Sequence, residues 1–183
     1  MRILVTGTSG SGKTTLARQL AETLRLPHIE LDAVNWQPGW VGLNEADPPE
    51  FSRRVEAAIA AEVWVIDGNY GGVREAIWDR ATDVVWLDYG RDVIMPRVIL
   101  RSVRRAVDRT ELWPGTGNRE SWRRWLDREH PIRWAWDTWA RRRREYAARC
   151  NEPRYAHLRI HRLRHPREAE PLIARLAADA GLG

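Results

Sequence analysis

Gly7-Thr8-Ser9-Gly10-Ser11-Gly12-Lys13-Thr14 matches the spacing G-x-x-x-x-G-K-[ST] of a loop that wraps phosphate. Arg2-Ile3-Leu4-Val5-Thr6 before it reads as a short apolar strand, and Thr14 to Leu24 after it carries leucines at helical spacing. A strand feeding a glycine-rich turn and then a helix is the arrangement that phosphate binding needs. The glycines let successive main-chain N–H groups converge on an anion, and the helix N-terminus adds partial positive charge. Lys13 is the only lysine in a chain with 30 lysine and arginine residues. A compact ammonium on a flexible stem reaches between phosphates in a way a planar guanidinium does not, so its retention here points to nucleotide binding. Ser9, Gly10, Ser11, Gly12, Lys13, Thr14 and Thr15 are the expected ATP contacts, with Lys13 on the β- and γ-phosphates and the Thr14 hydroxyl on magnesium.

The rest of the chain alternates between apolar runs of strand type and helical patterns. His28 to Leu31, Val63 to Ile66, Thr82 to Leu87 and, more weakly, Leu158 to His161 join Arg2 to Thr6 as strands. Glu50 to Ala61, Val73 to Trp78, Arg91 to Val107, Ile132 to Cys150 and Pro166 to Ala180 read as helices. The alternation predicts one α/β domain over residues 1–183, with a five-stranded parallel sheet, helices on both faces and a crevice at the carboxyl ends of the strands. Asp108 to Pro131 breaks the pattern and holds Trp113-Pro114-Gly115-Thr116-Gly117-Asn118, so a small mobile lid is expected there.

Composition narrows the classes. At 183 residues and 43% apolar content the chain can bury one core but not two. No apolar run approaches the ~20 residues that cross a bilayer, and the N-terminus enters a strand without a basic and apolar leader, so a cytoplasmic protein is expected. Cys150 is alone, which excludes an internal disulfide and a cysteine-rich zinc site. His28, His130, His157, His161 and His165 lack H-E-x-x-H spacing, and His157 and His161 read as strand residues whose rings do not converge. Up to Gly90 there are 8 basic and 13 acidic residues; from Arg91 onward there are 22 and 12. Three readings fit that basic half: arginines closing over a triphosphate, a nucleic-acid surface, or solvated helix faces.

Polar groups follow the strands where such a fold places chemistry. Glu30-Leu31-Asp32 and Asn35-Trp36-Gln37-Pro38-Gly39-Trp40 follow the second strand, and Asp67-Gly68-Asn69-Tyr70-Gly71-Gly72 the third. An acidic residue at a strand tip beside a phosphate loop can hold magnesium or accept the proton of an attacking hydroxyl. Asp32 and Asp67 are the candidates, either of which could instead be a turn or capping carboxylate. Glu30 is expected to face solvent or a helix end.

These segments together, Gly7 to Thr14, Leu31-Asp32, Trp36 to Trp40 and Trp64 to Tyr70, resemble the adenylate-kinase-related P-loop proteins of bacteria known as the topology-modulation group. The resemblance covers most of the chain and is weakest through the lid. It implies a three-layer P-loop fold and a Mg-ATP-dependent kinase. Asp67-Gly68 is similar to the Asp-Gly of nucleoside monophosphate kinases, whose Asp meets magnesium-bound water, which makes Thr14 and Asp67 the implied metal residues. Asp32 is placed like the acidic residue that shikimate and gluconate kinases use beside the acceptor hydroxyl. Asn69-Tyr70 stands where monophosphate kinases have Phe-Pro-Arg, so the arginine that a nucleoside monophosphate would meet is missing.

Transfer of the γ-phosphoryl needs cations that arrive as the site closes. Arg97, Arg101 and Arg105 recur at four-residue spacing and form one stripe, with Arg101 and Arg105 next to the lid. Arg141-Arg142-Arg143-Arg144 covers every face of its helix, and Arg141 and Arg144 stand as its candidates. Trp64 and Trp86 read as core. Trp36 and Trp40 flank Pro38-Gly39 and read as an acceptor-pocket wall, with Asp32, Asn69 and Tyr70 beside them. Trp113, Trp122, Trp125, Trp134, Trp136 and Trp139 either pack the lid or, interleaved with Arg119, Arg123, Arg124 and Arg128, make a platform for bases. Two functions follow: a kinase acting on a nucleoside monophosphate or small hydroxyl compound, and a nucleotide-gated nucleic-acid-binding protein with weak ATPase activity at most.

Overall fold

The computed structural model describes residues 1–108, 110–120 and 131–182. The chain opens with β1 (Arg2–Gly7), turns through the phosphate loop and enters α1 (Lys13–Leu24). After β2 (His28–Glu30) come the single-turn helix α2 (Leu31–Asn35), a hairpin of β3 (Trp36–Gln37) and β4 (Val41–Gly42), and α3 (Leu43–Ala46). Next, α4 (Pro48–Ile59) leads to β5 (Trp64–Asp67), and α5 (Arg74–Arg80) to β6 (Asp83–Leu87). Then α6 (Arg91–Asp108) and α7 (Pro131–Cys150) precede β7 (Arg159–Leu163) and α8 (Ala169–Asp179).

The main sheet has five parallel strands in the order β2-β5-β1-β6-β7. Its period-two alternation feeds two cores. Ile3, Val5, Val65, Val85 and Leu87 pack with α1, α6 and α8; Leu4, Trp64, Ile66, Val84 and Trp86 pack on the other face with α4, α5 and Tyr146 of α7. Such side chains contribute about 1.5–3 kcal/mol each when fully buried, so a charge at Val5 or Ile66 would break the fold. The Trp64 indole N–H donates to the Ile59 carbonyl at 3.2 Å, which satisfies the one polar atom of that buried ring. At the edge opposite the crevice, Asp83 is fully buried at the start of β6 and pairs with Arg159 at 2.9 Å and His161 at 2.8 Å. Burial alone would raise its pKa, but the bonds from His161, Arg159 and Thr82 outweigh that and lower it.

Several local expectations are corrected. The second strand stops at Glu30, and Leu31 turns inward as the first residue of α2, 1% exposed. α4 starts at Pro48, two residues early, because the Asp47 carboxylate accepts from the Glu50 N–H at 3.1 Å and proline suits a first helical position. Pro166–Glu168 forms a separate 3-10 turn before α8. His157 lies in a turn ahead of β7, not on the strand. The segment around Pro38-Gly39, to which the sequence assigned no element, folds as the β3–β4 hairpin, pairing Trp36 with Gly42.

Candidate active site

A cleft of about 1180 Å³ opens at the carboxyl ends of the strands, floored by Gly7 to Thr15. Close backbone approach brings its walls together. Gly10 has φ 84°, and a Cβ there would lie 2.9 Å from the Val98 Cβ, so α6 rests directly on the phosphate loop. Gly68 has φ 137°, and a Cβ there would lie 2.5 Å from the Leu31 Cβ. Glycine at that position lets the end of β5 close on α2, which carries Asp32 beside the Asp67 segment.

Lys13 opens α1, and its Nζ donates to the Thr8 carbonyl at 3.3 Å. Burial lowers its ammonium pKa; Asp32 and Asp67 act to raise it, and Arg101 and Arg142 to lower it. The four charges thus share one field around the ammonium. The Thr14 Oγ1 donates to Asp67 Oδ2 at 2.6 Å, and the other Asp67 oxygen bonds His28 Nε2 at 2.7 Å. Asp67 is 3% exposed and sits behind Thr14. A hydroxyl and a carboxylate are hard oxygen donors, so the pair fits a small divalent cation that takes its other ligands from phosphate and water.

The arginines of α6 lean over the loop. Arg97 Nη1 donates to the Ser11 carbonyl at 3.5 Å, and Arg101 Nη2 to Ser9 Oγ at 3.3 Å. Arg101 Nε and Ser11 Oγ are buried polar atoms with no hydrogen-bond partner among the described residues. Burial lowers the Arg101 guanidinium to about 10. Arg104 and Arg105 also line the cleft, and Arg105 approaches Glu120 at 3.9 Å.

On α7 the expectation of Arg141 and Arg144 is corrected. Asp88, 5% exposed just past β6, forms an ion pair with Arg143 Nε at 2.8 Å and accepts from Arg162 Nη2 at 2.6 Å. The Trp139 indole donates to the Tyr89 carbonyl at 3.0 Å. These ties fix the rotation of α7, and at 3.6 residues per turn they turn Arg142 into the cleft while Arg141 and Arg144 face solvent. Arg141 approaches Glu145 at 3.7 Å instead.

The opposite wall is aromatic and acidic. Trp36 and Trp113 stack with centroids 6.0 Å apart, and Trp40 meets both edge-on at 5.7 and 5.9 Å. Glu30 stands at a helix end, as the residue that caps α2, and its side chain lines this wall instead of solvent: it pairs with Arg18 at 2.8 Å and accepts from the Trp113 indole at 3.3 Å. The Tyr70 hydroxyl donates to Asp32 Oδ1 at 2.7 Å, and burial first, then the Asp32 charge, raises the phenol pKa. Asn69 lies alongside and accepts from Arg74 at 3.4 Å.

Residues 110–120 bridge back on themselves through Glu111 and Arg119 and dock on the hairpin. Asn118 is the clip: its Nδ2 donates to the Gln37 carbonyl and its Oδ1 accepts from the Trp40 N–H, both at 2.9 Å. Trp40 itself has φ 63°, a left-handed conformation that a bulky residue adopts only when its surroundings hold it. Trp122, Trp125, Arg123, Arg124 and Arg128 lie outside the described residues. Of the α7 tryptophans, Trp136 and Trp139 carry the Arg91 guanidinium at 4.5 and 5.0 Å, and Trp134 carries Arg142 at 6.0 Å. These faces already hold arginines of the chain itself.

Sheet order, phosphate loop and cleft define a P-loop α/β domain. The chain belongs to the AAA_18 family, described as an AAA domain, which matches residues 3–102. No curated protein matches it. Among solved structures it is similar to a shikimate kinase from Acinetobacter baumannii in complex with shikimate, at 18% identity and a TM-score of 0.57, covering 98% of this chain and 92% of that one. A shikimate kinase from Bacteroides thetaiotaomicron gives 19% and 0.55 over 100% and 99%, and a gluconokinase from Sinorhizobium meliloti 1021 gives 18% and 0.50 over 97% and 93%. The shared feature is the fold, a five-stranded parallel sheet wrapped by helices. Among the described residues no helix is long and apolar enough to cross a membrane.

Proposed function

We propose that the protein is a Mg-ATP-dependent phosphotransferase of the adenylate-kinase-related group, moving the γ-phosphoryl group to a hydroxyl of a small molecule. The observation that carries this reading is the convergence of Lys13, Arg101 and Arg142 with Asp32 and Asp67 around one loop. The main-chain N–H groups from Ser9 to Thr15 would hold the phosphates, Lys13 would reach the β- and γ-groups, and Thr14 and Asp67 would hold magnesium, which would neutralise phosphate charge. Arg97, Arg101 and Arg142 would meet the equatorial oxygens, where positioning and charge stabilisation account for most of the rate. Asp32, oriented by the Tyr70 hydroxyl, would accept the acceptor's proton. Of the lid expected over 108–131, residues 109 and 121–130 lie outside the described residues; residues 110–120 would close over the acceptor, with Asn118 holding them to the hairpin. The kinase names of the structural neighbours support the same reaction class.

The test is ADP release from Mg-ATP with and without a panel of hydroxyl compounds and nucleoside monophosphates, with Lys13→Ala as the blank. Stimulation by one class supports the proposal. Hydrolysis indifferent to every acceptor, together with salt-sensitive binding of a single-stranded oligonucleotide, would replace it with the nucleotide-gated binder.

A further inference from the structure

Asp67 is held from two sides: Thr14 Oγ1 donates to its Oδ2 at 2.6 Å, and its Oδ1 meets His28 Nε2 at 2.7 Å. The sheet register brings these groups together. β2 runs parallel to β5, with His28 opposite Val65, Ile29 opposite Ile66 and Glu30 opposite Asp67. Ile29 and Ile66 pack into the core on the α4 side, whereas Val65 packs into the core that α1 covers. Side chains alternate along a strand, so Asp67 and His28 both turn toward α1. That helix opens at Lys13, which sets the Thr14 hydroxyl at the end of β5. Thr14 lines the cleft, while neither Asp67 nor His28 does. The three side chains thus stand in a row, with Thr14 at the cleft surface, Asp67 behind it and His28 behind Asp67.

We propose that His28 is a positioning residue for the divalent cation that accompanies the nucleotide. This rests on the assignment of magnesium to Thr14 and Asp67 within the phosphotransferase reading. A carboxylate turns freely about its terminal torsion, which has no sharp staggered minima. A donor on each oxygen removes that freedom. The carboxylate only accepts, so His28 Nε2 and the Thr14 hydroxyl both supply protons to it. With Oδ1 taken by His28, Oδ2 stays turned toward Thr14. The Thr14 hydroxyl, its proton committed to Oδ2, keeps its lone pairs for the cleft, and lone pairs on oxygen are what a hard cation takes. His28 touches neither nucleotide nor acceptor in this arrangement and acts through Asp67. Partners of this kind behind a metal-binding carboxylate are typically worth about 10- to 100-fold in metal affinity.

The experiment is calorimetric titration of a non-hydrolysable ATP analogue into the full chain, once with Mg2+ and once with EDTA, for the parent, His28→Leu and His28→Gln. Leucine fills similar space without a donor, and glutamine carries an N–H donor at similar reach. His28→Leu should weaken binding with Mg2+ about 10- to 100-fold and leave binding in EDTA at the parent value, and His28→Gln should recover most of the loss. Thermal melts check folding, and His28→Ala, which also removes the donor, carries the comparison if leucine lowers the melting point. Equal losses with and without Mg2+ would make His28 a structural residue of the edge strand and overturn the proposal. Failure of His28→Gln to recover the loss while it melts as the parent does would overturn it too. A parent that responds to Mg2+ and a His28→Leu variant that responds equally would overturn the proposal and leave the magnesium assignment standing. A parent that binds the analogue alike in Mg2+ and EDTA would remove the proposal and that assignment together. Acceptor-dependent ADP release, measured separately, decides the phosphotransferase reading.

Discussion

Replacing Arg101 with methionine should stabilise the nucleotide-free protein and weaken its grip on nucleotide. Burial, and after it the Arg105 charge, lower this guanidinium to about 10 against the opposing pull of Glu120 and Asp32. Each pKa step corresponds to about 1.4 kcal/mol, so holding the cation there costs on the order of 3 kcal/mol. The compensation is small, because Nη2 reaches Ser9 Oγ at 3.3 Å and Nε has no hydrogen-bond partner among the described residues. Methionine keeps the apolar stem and gives up a hydrogen bond worth about 1 kcal/mol, leaving a net gain of about 1–2 kcal/mol. For a chain of this size that raises Tm by about 2–8 °C. Losing charge-assisted bonds to phosphate should weaken Mg-ATP about 10- to 100-fold. Thermal melts without nucleotide and calorimetric titration with Mg-ATP read the two effects. A variant that melts lower without nucleotide, or binds Mg-ATP as the parent does, would refute the reasoning that this cation is held ready for phosphate.

Lys13→Ala should abolish nucleotide turnover while circular dichroism and the nucleotide-free melting profile stay close to the parent, since the ammonium contributes a single 3.3 Å bond to Thr8. Asp32→Asn should spare Mg-ATP binding and remove transfer; equal loss of both would move Asp32 to the metal. Glu50 is held at about 2, below its ordinary 4.5, by hydrogen bonds from Arg53 and then Arg54. A carboxyl lowered in the folded state favours folding above pH 4.5 and loses that contribution as pH falls through about 2. A carboxyl titration followed by NMR should therefore place the Glu50 midpoint well below those of unpaired glutamates, and a midpoint near 4.5 would remove the pairing.

The sheet and phosphate loop were legible because local rules govern them. The motif needs a strand before it and a helix after it, and the apolar runs fixed the remaining strands to within a residue or two. Asp67 and Thr14 could be paired because both sit at element ends that the fold forces together. What escaped was set by tertiary contact. Arg141 through Arg144 cover every helix face, and the ties of Arg143 to Asp88 at 2.8 Å and of Trp139 to the Tyr89 carbonyl at 3.0 Å determine that Arg142 enters the cleft. Glu30 could be read as a helix-end or solvent residue, and the helix end is there, but nothing in its neighbourhood announces Arg18 and Trp113. The hairpin that presents Trp36 and Trp40 is two residues per strand, too short for alternation to show. His28 carried no motif, and its bond to Asp67 spans a chain separation of 39 residues. Periodicity put the start of α4 at Glu50 and missed the capping signal of Asp47 followed by Pro48, where the helix in fact begins.

The central claim is that phosphate leaves ATP for a small hydroxyl compound and not for water. Mass spectrometry of the acceptor after incubation with γ-labelled Mg-ATP tests it directly, with Lys13→Ala in parallel. The account predicts label on the acceptor in step with ADP formation, and none with the variant. Label found only in inorganic phosphate, at a rate no acceptor changes, would contradict it.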